Sequence, residues 1–261
     1  NTWGAKGVLR WDSAHHMGTC GLQAHDFELL GLGGYDVIVA TGIDPAESPP
    51  ERFGLAPVVE VPARELGRLA REIRPAPGEI RSNDLYARLS KVAQPGYVDG
   101  HVPLHPARAV ADVRAVLPAG GVVTAEPGMA GLWVARTFPT TDPGTVVVPA
   151  TARRGVAAAL ALTAALHGVP AIAVTTDPID PTTLGVLKLA TELGAAFVVD
   201  VWGAGGPVRR VEDHVAQLQA AVAEPGVTIV DLPVDRSLTR KLVSAAGPVV
   251  AWGGLPVKGA R

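Results

Sequence analysis

Residues 172–183 read IAVTTDPIDPTT. The first letters close a continuous apolar run over Ala171 to Val174, the pattern of a strand covered on both faces. The next letters break that run with Asp177-Pro178 and Asp180-Pro181. Proline has no amide hydrogen to give a ladder, so the strand must stop at Thr175-Thr176, leaving Asp177 at its carboxyl end. A helix follows over Thr183 to Leu193. A two-face-buried strand that ends abruptly and runs into a helix is the repeating unit of an α/β protein.

The same alternation extends in both directions. Further strands are expected at Tyr35–Ala40, Ala56–Val61, Gly121–Thr124, Thr145–Val148, Ala196–Val201 and Val227–Leu232. Helices are expected at Ala63–Glu72, Asp84–Lys91, Pro106–Leu117, Ala130–Arg136, Gly155–His167 and Val211–Ala223. Pro106 suits a first helical turn, and Leu117-Pro118 closes that helix. Between Arg74 and Pro106 the chain carries five prolines and three glycines with little periodicity, so 76–105 is expected to be a linker. Two α/β domains with parallel sheets flanked by helices follow, one at 1–75 and one at 106–261. The first is a partial Rossmann-like unit.

Bulk properties narrow the function classes. With 261 residues, 48% of them hydrophobic, the chain can bury a sizeable core. Its formal net charge of -2, without a basic run, argues against tracking a phosphate backbone, so no nucleic-acid partner is expected. The longest apolar run, Gly155 to Leu166, is too short to span a bilayer, so no membrane partner is expected. A single cysteine, Cys20, excludes an internal disulfide and suits a reducing cytoplasm. His15 and His16 near Cys20 lack a second ligand pair at zinc spacing. His25, His101, His167 and His214 are scattered and are expected at the surface or as caps. Trp133 and Trp202 are expected to pack.

In an open parallel sheet, ligands lie beyond the carboxyl ends of the strands, where strand order reverses. Four such loops are legible: Glu126-Pro127-Gly128, Pro149 to Arg154, Thr175 to Pro178, and Gly203 to Gly206.

Several of these segments also carry a family likeness. Thr2-Trp3-Gly4-Ala5-Lys6-Gly7, Met17-Gly18, Gly21 and YDVIVATG (Tyr35 to Gly42) come first. Pro103-Leu104-His105-Pro106, VVTAEPG (Val122 to Gly128), Trp133, the helix from Gly155, Lys188 to Thr191 and TIVDLPVD (Thr228 to Asp235) follow in order. In this arrangement the chain resembles the central and C-terminal domains of the thiamine-diphosphate-dependent enzymes of the acetohydroxyacid synthase, pyruvate oxidase and oxalyl-CoA decarboxylase group.

The resemblance implies thiamine diphosphate held through magnesium, with a Gly-Asp-Gly carboxylate and a later asparagine oxygen as metal ligands. Here those positions read Thr176-Asp177-Pro178 and Gly203-Ala204. Asp177 keeps the carboxylate and is the metal-ligand candidate. Pro178 loses an amide, and Gly203-Ala204 have no side-chain oxygen; Asp180 and Asp200 are the nearby acids. The loop before the long helix is shortened to Pro149-Ala150-Thr151-Ala152-Arg153-Arg154. Its paired arginines either grip an anion with the helix amides or stay solvated. The cofactor-binding candidates are therefore Gly128, Met129, Thr151, Arg153, Arg154, Thr176, Asp177 and Gly203; no catalytic residue is assigned. Thr41-Gly42-Ile43-Asp44 corresponds to a loop that meets FAD in some relatives.

The resemblance further implies an activating glutamate on an N-terminal domain absent from this chain, so a fragment or a companion subunit is expected. Two functions stay open. One is part of a decarboxylase or carboligase acting on 2-oxo acids, with a degenerate cofactor site. The other is a non-catalytic structural or regulatory homologue. Either is expected to form a homodimer or larger assembly.

Overall fold

The computed structural model describes residues 1–54, 56–73, 83–176 and 180–254. The amino-terminal part folds largely as loops held against the rest of the chain, with a four-residue helix α1 (Asp26–Leu29). Strands β1 (Ile38–Ala40) and β2 (Val58–Glu60) pair in parallel, Ile38 opposite Val58. They are shorter than the runs expected over Tyr35–Ala40 and Ala56–Val61. Helix α2 (Ala63–Glu72) matches its expected bounds but buries none of its residues.

The segment read as a linker contains a 14-residue helix, α3 (Asp84–Tyr97), where only a short helix was expected. Asn83 caps it, its side chain accepting from the Tyr86 amide at 2.8 Å. Pro95 lies in the last turn, where the helix has only two residues left to run. Leu85 and Ala93 are buried, because the Leu85, Leu89 and Ala93 stripe packs onto the C-terminal unit.

That unit begins with α4 (Pro106–Val116), capped by His105, whose Nδ1 accepts from the Ala107 amide at 3.1 Å. There follow β3 (Val122–Ala125), α5 (Met129–Thr137), β4 (Val146–Val147), α6 (Val156–Leu166), β5 (Ala171–Thr175) and α7 (Pro181–Glu192). The chain continues through β6 (Phe197–Gly203), α8 (Val211–Ala223), β7 (Val227–Pro233) and a helix not expected from sequence, α9 (Thr239–Ala246). The five strands form one parallel sheet in the order β4-β3-β5-β6-β7.

Alternate side chains leave this sheet in opposite directions and enter two cores. Ile172, Val174, Val198 and Trp202 join one with α4, α5 and α8. Ala171, Ala173, Phe197 and Val199 join the other with α6 and α7. Every residue of β5 is buried, which is why its sequence is apolar without alternation. Steps from β4 to β5 and from β5 to β6 run one way along the sheet, with their helices on the α6–α7 face. The step from β3 to β4 runs the other way with α5 on the opposite face, so all three share one hand. The step from β6 to β7 runs the first way, yet α8 lies on the α5 face. That crossover therefore has the opposite hand, against the strong preference for a single one. No helix among the described residues is long and apolar enough to cross a membrane.

The amino-terminal loops are fixed to α5 by Arg136. Its guanidinium, 1% exposed, meets the fully buried Asp26 carboxylate at 2.6 Å and also donates to the Thr19 carbonyl and Gln23 Oε1. Asp26 in turn accepts the Leu22 and Gln23 amides at 2.9 and 3.0 Å. Removing one member leaves the other charged and unanswered in the interior. Arg136→Met is expected to cost roughly 3–5 kcal/mol in urea unfolding. Adding Asp26→Leu should cost less than the sum of the two single changes.

Candidate functional site

Strand order reverses between β3 and β5, where the chain leaves toward β4 and returns past β3 to the other side. Connections from these neighbouring strands depart to opposite faces, so a crevice opens at their carboxyl ends. Glu126 stands there, directly after β3. Its Oε2 accepts from Thr175 Oγ1 at 2.7 Å, and its Oε1 accepts from the Gly155 amide at 2.9 Å. One side chain thus joins two of the four loops singled out in the sequence to the residue that directly follows a third.

Gly155 is the N-cap of α6, with φ at 72°. A Cβ there would meet the Thr183 amide nitrogen at 3.0 Å, so glycine lets the start of α6 press against the start of α7. Asp180 caps α7: its Oδ1 accepts the amides of Thr182 and Thr183 at 2.9 and 3.1 Å, and its other oxygen accepts the Thr183 hydroxyl. Burial disfavours the Asp180 carboxylate. The hydrogen bonds from Thr183 and Thr182 outweigh that and hold its carboxyl below the usual range. Helix N-termini attract anions. Here two of the chain's own carboxylates already sit on amides at those termini.

The sequence candidates distribute around this crevice. Gly128, with φ at 125°, is the N-cap of α5, and the Met129 side chain turns into the core at 4% exposure. Thr151, Arg153 and Arg154 are exposed before α6, and Arg154 contributes favourably to the Asp180 carboxylate. Thr176 and Gly203 lie beyond β5 and at the end of β6, and Arg236 spans those two strand ends. Its Nη2 donates to the Trp202 carbonyl at 2.9 Å and the Thr176 carbonyl at 3.4 Å, while its buried Nε has no hydrogen-bond partner among the described residues. Asp177 and Pro178 lie outside the described residues. Among the described residues no group of three or more His, Cys, Asp or Glu side chains is placed to hold a metal.

Two other candidate positions resolve into local structure. Thr41-Gly42-Ile43-Asp44 forms a largely exposed turn in which Asp44 Oδ1 accepts the Ala46 amide at 2.8 Å. His16 Nε2 pairs with Asn1 Oδ1 at 3.0 Å, and the buried Cys20 thiol contacts the Asn1 carbonyl at 3.3 Å. Burial pushes the Cys20 thiol up, away from a nucleophilic thiolate.

His214 corrects a sequence expectation. It is fully buried rather than at the surface, because α8 turns it against two acids brought from far along the chain. Its Nδ1 lies 3.0 Å from Asp112 Oδ2 on α4, and its Nε2 lies 3.4 Å from Asp200 Oδ1 on β6, an ion-pair contact without hydrogen-bond geometry. Asp112 is also bound by Arg108 Nε at 2.7 Å, and Asp200 by Trp202 Nε1 at 2.9 Å. Asp200 is therefore engaged under the α4–α8 face and does not serve the crevice. Arg236 and this network had no local motif to reveal them, and Glu126 was legible only as a member of the loop after β3.

No family model matches the chain, and no curated protein matches it.

Burial alone would lower the pKa of His214, but the carboxylates of Asp200 and Asp112 override it and raise it to about 9. A raised histidine stabilises the fold fully below its unfolded pKa near 6.5 and loses that contribution as pH rises to 9. The shift is worth about 3 kcal/mol. Lys6, described below, contributes a slope of opposite sign, so the quantity to measure is the stability difference between wild type and His214→Gln. Urea unfolding between pH 6 and pH 9.5 should show that difference shrinking with pH; a constant difference would contradict the charged pair.

Proposed function

We propose that this chain is the central and C-terminal portion of a thiamine-diphosphate-dependent decarboxylase/carboligase-like protein whose cofactor site its own side chains have closed. By resemblance, the site would lie at the carboxyl ends of β3 and β5. The observation that carries the reading is the seat of Glu126, which takes the Gly155 amide and the Thr175 hydroxyl for itself. Asp180 likewise occupies the amides that open α7. A diphosphate would have to displace these carboxylates or lie beside them against like charge.

The residues present do not fit the cofactor. The described residues supply no metal cluster, Pro178 removes one amide by sequence, and Gly203-Ala204 offer only backbone oxygens. No catalytic step on a 2-oxo acid is derived for such a site. The role that remains is that of a structural or regulatory homologue, working as a homodimer or beside a companion subunit. Val37, Val39 and Val59 at the small β1–β2 sheet are 40–49% exposed, which supports association. The second reading, a working enzyme part, draws on Asp177 at the motif position and on Arg236 at the neighbouring strand ends.

Calorimetric titration with thiamine diphosphate and magnesium separates the two. Wild type is expected to show no saturable binding in the micromolar range. Micromolar binding that disappears in Asp177→Ala would carry the enzyme reading instead. Light scattering at high concentration should give a mass above one chain, and a strict monomer would count against the assembly.

A further inference from the structure

A cavity of about 460 Å³ lies between the first loops of the chain, α3, and the end of α5. That is the size of a small-molecule site. Its apolar lining includes Leu85, Leu89 and Ala93 of α3 with Phe138 and Leu242, beside the polar Ser90 and Gln94 of the same helix. Lys6, His16 and Arg136 line it as well. No aspartate or glutamate lines it among the described residues.

The charges do not balance. Arg136 is answered by Asp26 at 2.6 Å. His16 is tied to Asn1 Oδ1 and to the Trp11 carbonyl, and burial, with the nearby charge of Lys6, lowers its pKa, keeping it neutral. Tyr86 and Tyr97 face the space from α3, and burial pushes the Tyr97 hydroxyl up, so it brings no charge. Lys6 is left. It is 5% exposed, carries a flexible four-carbon stem to a cavity wall, and has no hydrogen bond or ion pair from its amine among the described residues. Burial first, and then the Arg136 charge, pull its pKa down to about 7. Buried ammonium groups are otherwise paired. Among the described residues, every neighbouring group that bears on Lys6 is neutral, cationic or already engaged. Lys6 lines the open cavity, so an anion entering there meets an unanswered cation.

We propose that this cavity binds a small organic carboxylate bearing an apolar chain or ring, with the carboxylate between Lys6 and Arg136 and the apolar part against α3. One unpaired cation matches one negative charge; a dianionic phosphate would bring surplus charge into an apolar space. The site is separate from the β3–β5 crevice and does not rest on the reading given for that crevice. Binding draws a proton onto Lys6 around neutral pH. Affinity is therefore greatest below about pH 7 and falls by up to about tenfold per unit above it, until the bound lysine itself deprotonates.

The test is calorimetric titration of the whole chain with 3-phenylpropionate at pH 7.5, in two buffers of different ionisation enthalpy. The expected result is saturable binding with net proton uptake, and much weaker binding of the uncharged 3-phenylpropanol. Lys6→Met should lower affinity at least about tenfold, the loss expected for a charge-assisted contact, without lowering the thermal midpoint. Leu89→Trp, which fills the cavity, should abolish binding. No saturation at millimolar concentration, equal binding of the alcohol, or unchanged affinity in Lys6→Met would each overturn the proposal.

Discussion

The contact between Arg136 and Asp26 holds the two parts of this protein in one arrangement. A guanidinium this deeply buried needs both a counter-charge and partners for its hydrogens, and residues 19 to 26 supply them together. The amino-terminal loops contain little regular structure of their own, so they are shaped by what they bring to Arg136. Asp26 then organises the backbone around itself by accepting the Leu22 and Gln23 amides. Gln23 passes the constraint on, its side-chain amide donating to the Leu242 carbonyl within α9 and to the Gly247 carbonyl that follows it. A single buried pair thereby links the start of the chain, α5 and α9.

The strand-end crevice shows the same economy with charge. Parallel topology sends the connections after β3 and β5 to opposite faces and aims helix starts at the gap between them. Such a place favours negative charge whatever supplies it. Glu126 and Asp180 supply it from within, and the glycine at 155 allows α6 and α7 close enough for both acids to act on adjoining helix starts. The geometry suits an anion, and the anion present is part of the chain.

Much of this was legible in the sequence, for identifiable reasons. Continuous apolar strands and prolines at strand ends are local signals, and they located all five strands of the large sheet to within two residues at either end. The crevice loops were legible too, because strand order and loop position are linked. Short elements were not: α1 has four residues and α9 eight, too few to impose a period. The end of α3 was hidden by Pro95, which marks a break in most contexts but sits harmlessly in a final turn. His214 was misread because its partners, Asp112 and Asp200, come from another helix and from a strand interior. Nothing near residue 214 announces them. Glu126 was visible as a loop residue, but its two donors lie 29 and 49 positions away.

The reversed crossover between β6 and β7 has its own consequence at the rim of the sheet. Because α8 passes over the α5 face, the other side of β7 is left to α7, which reaches it only in part. Ile229 is accordingly 48% exposed, and Asp231, also in mid-strand, projects into solvent on the same side. β7 is also the last strand of the sheet, met from outside only near its end, where the Leu104 amide donates to the Pro233 carbonyl at 2.8 Å. A bare margin of this kind invites other chains to add to it. An aspartate in its middle makes such addition costly, since a docking strand would have to bury that charge. Short of that bridge the margin stays open, guarded by one carboxylate and only partly covered by a helix.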